Sequence, residues 1–336
     1  MKILVTGATS GLGRNAVTHL LERGVGVVAT GRNCEAGAQL RGATFVPLDL
    51  TQATDEDCIR LMNGCDAVWH CAAKSSPWGS HRSFWQANVD ATHRLVRAAQ
   101  TLRLPRFIHI STPAVYFDFQ HHYALPESYR TRHFSSHYAH SKYAAEQVIA
   151  EALSTNSATT FIILRPRGLF GPHDQVIVPR LIRQLTLDAG MLRLPRGGQA
   201  LLDLTFVHNV VQAMELATLQ PSLISGSVYN ITNHQPQQLY VMLDALLREE
   251  LGLRYKIRAV PWTLLSLAAR GMELVGKWQD KEPRITRYSA GTVCFDMTLN
   301  TEKARNELNY QPHFSMEEGI RLTGEWLRAN GKNYGI

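Results

Sequence analysis

The chain has 336 residues, 45% of them apolar, and a formal charge of +7 from 35 basic and 28 acidic side chains. That balance suits a folded core, and with no run of five like charges it argues against a nucleic-acid stripe. Five dispersed cysteines without a Cys-x-x-Cys pair argue against a zinc site or a disulfide framework. No apolar leader precedes the first glycine, and the apolar run near Trp262–Ala269 is too short to span a bilayer. The expectation is a cytoplasmic protein with no integral membrane segment.

In chain order, Lys2–Thr6 predicts a buried strand, then a glycine turn, a helix over Arg14–Arg23 and a C-cap at Gly24. Strands follow at Val25–Thr30, at Thr44–Leu48 ending on Asp49, and at Ala67–Cys71. A helix over Asn88–Thr101, a strand over Arg106–Ser111, a helix over Ser136–Glu151 and a strand over Thr160–Leu164 continue the rhythm. Apolar runs alternating with helices predict an α/β fold: a Rossmann-type, doubly wound parallel sheet. Regularity then breaks, with a helix at Val178–Leu187, a stretch Leu202–Val207 leading into a helix from Asn209, and a late strand at Val228–Ile231. Beyond these come a helix over Leu239–Glu250, an extended Lys256–Val260, an amphipathic Pro261–Trp278 and a last helix from Ser315, with Glu318 three residues on. The expected division is a dinucleotide domain over 1–172 rejoined at about 203–232, a smaller mixed substrate region over 173–202 and 233–314, and a C-terminal helix over 315–330.

Gly7, Gly11 and Gly13 sit between the first strand and its helix, with Thr9, Ser10 and Leu12 completing the loop. A Cβ there would keep backbone N–H groups away from a pyrophosphate, so this turn predicts a dinucleotide cradle. The second strand ends on Thr30-Gly31-Arg32-Asn33. An acidic residue at that end would bind an adenosine ribose; the Arg32 guanidinium suits a 2′-phosphate instead. NADP(H) is therefore favoured, with NAD(H) the alternative. Asp49, followed by Leu50, offers an acceptor for the adenine amino group, and Asn88 is read as a polar residue at a helix start or sheet edge.

Tyr138 and Lys142 lie one helical turn apart, and Thr112 ends the strand before them. A phenol has a pKa near about 10, and a neighbouring ammonium group favours its phenolate. The three side chains can together hold a carbinol oxygen and move its proton while a nicotinamide carries the hydride. The histidines His121, His122, His133, His137 and His140 crowd this region, but their spacing dictates no metal site.

In these motifs the chain resembles the extended branch of the short-chain dehydrogenase/reductase superfamily, the NAD-dependent epimerase/dehydratase-like proteins. The resemblance implies that Tyr138 and Lys142 are the catalytic pair and that Thr112 supplies the third hydroxyl. It implies that Ala72, Ala73 and Lys74 line the cofactor, and that Arg165-Pro166-Arg167-Gly168 closes the nicotinamide and substrate side. Nucleotide-sugar members often carry asparagine where this chain has Gly168, and Asp-Glu where it has Pro113-Ala114. Members resembling 3β-hydroxysteroid dehydrogenases and long-chain β-keto acid reductases share the Ala-Ala-Lys segment with Trp78-Gly79, and the Arg165-Pro-Arg167 pattern. The expected substrate groups are Ser75, Trp78, Thr112, Arg167, Gly168 and Trp262, around an apolar small-molecule alcohol or ketone. Sugar-nucleotide epimerisation is the rival reading, and a cofactor-binding protein without turnover a third. A homodimer through the helices near Asn88 and Tyr138 is also implied.

Overall fold

The computed structural model describes residues 1–154, 158–174 and 177–331; residues 175 and 176 of the expected substrate region lie outside them. A seven-stranded sheet runs in the order Ser227–Ile231, Thr160–Pro166, Arg106–Ile110, Ala67–His70, Lys2–Thr6, Gly26–Gly31, Thr44–Pro47. Every neighbouring pair is parallel. Alternation explains its two covered faces. Ile3 and Val5 face one apolar layer with Val17, Leu20 and Met214, while Leu4 faces the other with Leu95, Val96 and Ile149. The strand order reverses between Lys2–Thr6 and Ala67–His70, which opens a crevice at the carboxyl ends of the strands.

A third apolar layer joins Val178, Ile182, Leu192, Met242 and Leu246 to Ile320 and Leu327 of the C-terminal helix, Met316–Asn330. Ser315 caps that helix through the backbone N–H of Glu318, as its spacing predicts. A four-stranded sheet joins Gln237–Gln238, Leu201–Leu202, Met297–Leu299 and His122–Leu125. The last of these lies between Arg106–Ile110 and the helix that follows from His137, and pairing with Met297–Leu299 makes it a strand.

Several boundaries differ from expectation, three of them beside the cofactor side. The first helix begins at Gly11 rather than Arg14, inside the glycine turn. The third strand ends at Pro47, two residues before Asp49. Asn88 does not start a helix: the helical stretch opens at His81–Phe84 and passes through Asn88 as a wider π turn, Trp85–Asp90, before Ala91–Thr101.

Candidate active site

Each glycine of the first turn has a separate steric reason. Gly7 adopts φ +65, and a Cβ there would stand 2.9 Å from the Ala72 backbone. A Cβ on Gly13 would stand 2.2 Å from the Gly7 carbonyl oxygen, so helix and loop close only on glycine. Gly11 adopts φ +48. Ser10 occupies the N-cap position without a side-chain cap bond, and the first turn holds no acid. Its N–H groups and helix dipole are thus left for an anion, which fits the diphosphate of a dinucleotide. Thr9 packs on Gly31, where a Cβ would come within 2.8 Å of its hydroxyl, and Leu12 packs into the core.

Along the adenosine side, Arg32 is exposed. Asn33 accepts from the Ala36 backbone N–H at 2.9 Å and caps a short helix. Arg14 donates to Gln39 at 3.0 Å. Asp49 uses Oδ1 to accept from the Thr51 backbone and hydroxyl, both at 2.9 Å. Leu50 turns its side chain into the core, and its carbonyl accepts from Arg94 at 3.3 Å.

A chain of buried hydrogen bonds fixes the next loop. The Ala72 backbone N–H donates to Thr6 Oγ1 at 3.1 Å, and Thr6 meets His70 Nδ1 at 2.8 Å. His70 Nε2 meets Thr92 Oγ1 at 3.0 Å, and Thr92 donates to the Asn88 carbonyl at 2.7 Å. Since the Thr92 proton is committed to Asn88, His70 donates from Nε2 and accepts from Thr6 at Nδ1. Burial chiefly, with the Lys142 charge adding to it, brings the His70 pKa down to about 3 and keeps the ring neutral. The Asn88 side chain accepts from the Lys74 N–H at 2.7 Å and donates to the Lys74 carbonyl at 3.2 Å and Ser141 Oγ at 2.9 Å. Its polar atoms thus tie the Ala72–Lys74 loop to the helix His137–Leu153. Ala73 is exposed on that loop, and the Lys74 ammonium donates to Ser83 at 2.8 Å.

Tyr138 and Lys142 both lie on His137–Leu153, which Ser136 caps through the Ala139 N–H. Burial pushes the Tyr138 phenol above its ordinary pKa, while the hydroxyls of Ser75 and Thr112 act in the opposite direction. Both hydroxyls are therefore near the phenol. Lys142 does not pair with the phenol as expected. Only 2% exposed, it donates to the Ile110 carbonyl at 2.5 Å, at the end of the strand Arg106–Ile110. Burial lowers its pKa to about 8, against the opposing field of Glu146.

Glu146 completes a line of three on one helix face with Tyr138 and Lys142, and the sequence reading missed it. It receives Ser111 Oγ at 2.5 Å and Arg165 Nε at 2.8 Å, and pairs with Arg165 Nη2 at 2.5 Å. Arg165 also donates to the Tyr116 hydroxyl, which donates to Asn230 at 2.9 Å. The i, i+4, i+8 spacing was the available signal, but only the sheet brings Arg165 beneath it.

The expected substrate side is aromatic. Trp262 lies 5.9 Å from Phe119 and 5.2 Å from Phe295, ring centre to ring centre, and Arg287 stacks 4.2 Å over Phe119. Trp78 packs near Gly276, whose Cβ would stand 3.3 Å from its ring. Pro166 ends the strand Thr160–Pro166 and pairs with Ile231. Gly168 follows at φ +53, where a Cβ would stand 2.5 Å from Leu204, so a side chain has no room. Arg167 is half-buried, and among the described residues its buried Nε has no hydrogen-bond partner. Desolvation lowers its pKa, with Tyr288 and Asp203 opposing. Asp203 Oδ2 is occupied by the Leu299 N–H at 2.8 Å. Tyr288 is affected by both Tyr138 and Arg167.

The histidines join aromatic neighbours instead: His140 stacks on Phe134 at 5.1 Å, and His81 lies 5.5 Å from His137. Among the described residues no group of three or more His, Cys, Asp or Glu is placed to hold a metal ion.

A glycine-walled cradle at the switch point of a parallel sheet, facing a tyrosine and lysine one turn apart, defines an NAD-dependent enzyme of the extended short-chain dehydrogenase/reductase type. Residues 3–232 match the model of the NAD dependent epimerase/dehydratase family, and the chain belongs to that family. It is 45% identical over 336 residues to the uncharacterized protein YbjS of Escherichia coli, covering 99% of each chain. It is 33% identical to a 2-alkyl-3-oxoalkanoate reductase of Stenotrophomonas maltophilia, covering 96% of this chain and 98% of that one. Against the decarboxylating sterol-4-alpha-carboxylate 3-dehydrogenase of Candida albicans, identity is 30%, over 85% of this chain and 83% of that one. A solved UDP-glucuronic acid 4-epimerase from Bacillus cereus in complex with NAD superposes with a TM-score of 0.77 at 22% identity, covering 98% and 96% of the two chains. That last likeness concerns the fold.

Proposed function

We propose that this protein is an oxidoreductase interconverting a secondary alcohol and a ketone on a largely apolar substrate that carries a carboxylate near the reacting carbon. The observation that carries this reading is the Arg167 guanidinium. It lies in the field of Tyr288, which Tyr138 also affects, and of Asp203, and among the described residues its buried Nε has no hydrogen-bond partner. A buried donor fork of this kind suits a planar carboxylate. Two relatives support the same chemistry by name: one acts on 3-oxoalkanoates and one on a sterol-4-carboxylate at carbon 3. In both, the carboxyl group sits one carbon from the carbinol carbon.

A bound nicotinamide would supply the hydride acceptor or donor. In oxidation Tyr138 takes the proton from the substrate oxygen, and in reduction it returns it. Thr112 and Ser75 hold that oxygen through their hydroxyls. Lys142, held on the Ile110 carbonyl in the field of Glu146, supplies a positive charge one helical turn from the phenol. Arg32, exposed at the second strand end, supports a preference for NADP(H) over NAD(H).

Epimerisation of a nucleotide sugar is the weaker reading, because Leu204 fills the space beside Gly168 where an asparagine would stand. The test is oxidation of long-chain 3-hydroxy acids with NADP⁺ or NAD⁺, followed by absorbance. Wild type should turn over, and Tyr138→Phe should bind cofactor normally with kcat reduced about 10²–10⁴-fold. Unchanged turnover in Tyr138→Phe would remove the mechanism, and turnover only of nucleotide sugars would remove the substrate class.

A further inference from the structure

The helix Trp262–Gln279 has two apolar faces where a surface helix ordinarily has one. Its inner face is used in the fold. Leu265 and Ala269 are buried, Ser266 accepts from Arg287 at 3.2 Å, and Glu273 accepts from the Arg287 backbone N–H at 2.7 Å. Trp262 on the same helix forms part of the aromatic substrate wall. The outer face carries Leu264, Leu267, Leu274, Val275 and Trp278, which are 61%, 68%, 69%, 52% and 86% exposed. At about 100 degrees per residue these five fall within an arc of roughly 100 degrees, with Gly271 between them and Ala268 at its edge. This is one continuous stripe, not scattered surface leucines.

Charge selects what covers it. Arg270 and Lys277 lie along one edge of the stripe, and Lys281 and Arg284 follow its carboxyl end, all exposed. Of the two acids nearby, Asp280 and Glu282, the second is paired with Arg180 at 3.0 Å. A second copy would set the same cations, on a chain of formal charge +7, against themselves. A surface that is apolar inside and anionic outside complements both features.

We propose that this face is a membrane-docking surface: the helix lies in the interface of an anionic bilayer, its leucines and Trp278 among the acyl chains and its lysines and arginines at the headgroups. No described helix is long and apolar enough to cross a membrane, so the helix lies on the bilayer and does not span it. The proposal rests on the stripe and its charges and stands whatever the substrate proves to be.

The experiment is flotation of the intact protein with vesicles of phosphatidylcholine alone or mixed with phosphatidylglycerol, at low and high salt. The expected result is binding to the mixed vesicles, weakened by salt, and little binding to neutral ones. Leu267→Glu/Leu274→Glu should abolish binding. Arg270→Gln and Lys277→Gln should each weaken it about fivefold. Circular dichroism and cofactor affinity should stay unchanged, because every altered side chain is solvent-exposed. In vesicles with brominated acyl chains, Trp278→Phe should lose most of the fluorescence quenching. Absence of binding by the wild type, or equal binding by the double glutamate variant, overturns the proposal. So does conversion of a wild-type dimer to monomers by that variant in sedimentation, which would make a second copy the occupant.

Discussion

Arg167→Met separates a substrate-reading arginine from a structural one. Among the described residues its buried Nε has no partner, and an unsatisfied buried donor costs about 1–3 kcal/mol. Methionine has similar length and no polar atom, so the variant should be more stable, by about 1–4 °C in Tm for a chain of this size. Toward substrate the sign reverses. Two charge-assisted hydrogen bonds to a carboxylate contribute about 1.5–3 kcal/mol each, which predicts a loss in kcat/KM of about 10²–10⁴-fold. The assay compares a long-chain 3-hydroxy acid with its methyl ester in wild type and variant, following NAD(P)H formation. The ester should be poor for wild type and change less than about tenfold on substitution. An equal loss on acid and ester, or a fall in Tm, would refute the assignment and make Arg167 a packing residue.

Arg32→Ala should lower the affinity ratio of NADP(H) to NAD(H), measured by fluorescence titration; an unchanged ratio would leave Arg32 a solvated strand-end residue. Glu146→Gln leaves the buried Arg165 without its counter-charge and should cost about 3–5 kcal/mol in denaturant unfolding. In the folded fraction, loss of the Glu146 field should also lower the Lys142 pKa below its present value of about 8, moving the alkaline limb of activity to lower pH. His70 is neutral in the fold, with a pKa of about 3 against 6.5 as an ordinary histidine. The unfolded chain therefore binds the extra proton. Stability is fully present above pH 6.5 and declines as pH falls toward 3, by about 2 kcal/mol at a pH of about 5 from His70 alone. Thermal melts across that range check it; His70→Gln should flatten the slope, and an unchanged slope would show that other groups carry it.

Much of this protein was legible in its sequence because the relevant physics is local. The alternation of short apolar runs with helices specifies a parallel sheet, and glycine spacing specifies a turn that only a missing Cβ allows. Tyr138 and Lys142 share a face because 3.6 residues make a helical turn. Each of these follows from a window of a few residues. Glu146 was equally close in sequence, yet its role depended on Arg165, which arrives 19 positions later from a neighbouring strand. The same holds for Asn88, read as a helix start: it became a clamp once Lys74 and Ser141 came within hydrogen-bond distance.

Tertiary structure alone decided which charges have partners. Arg165 and Arg167 are two residues apart and alike in sequence, and strand alternation alone would put both on one face, but the strand ends at Pro166 and Arg167 lies beyond it. One guanidinium turns inward onto Glu146, and the other turns toward Tyr288 with its Nε unsatisfied. Likewise, the Trp262–Gln279 helix reads as simply amphipathic until packing shows which apolar residues are covered and which stay in solvent. Local spacing determined the fold and the reacting groups; burial, a property of the whole assembled chain, determined which groups remain free to meet a ligand.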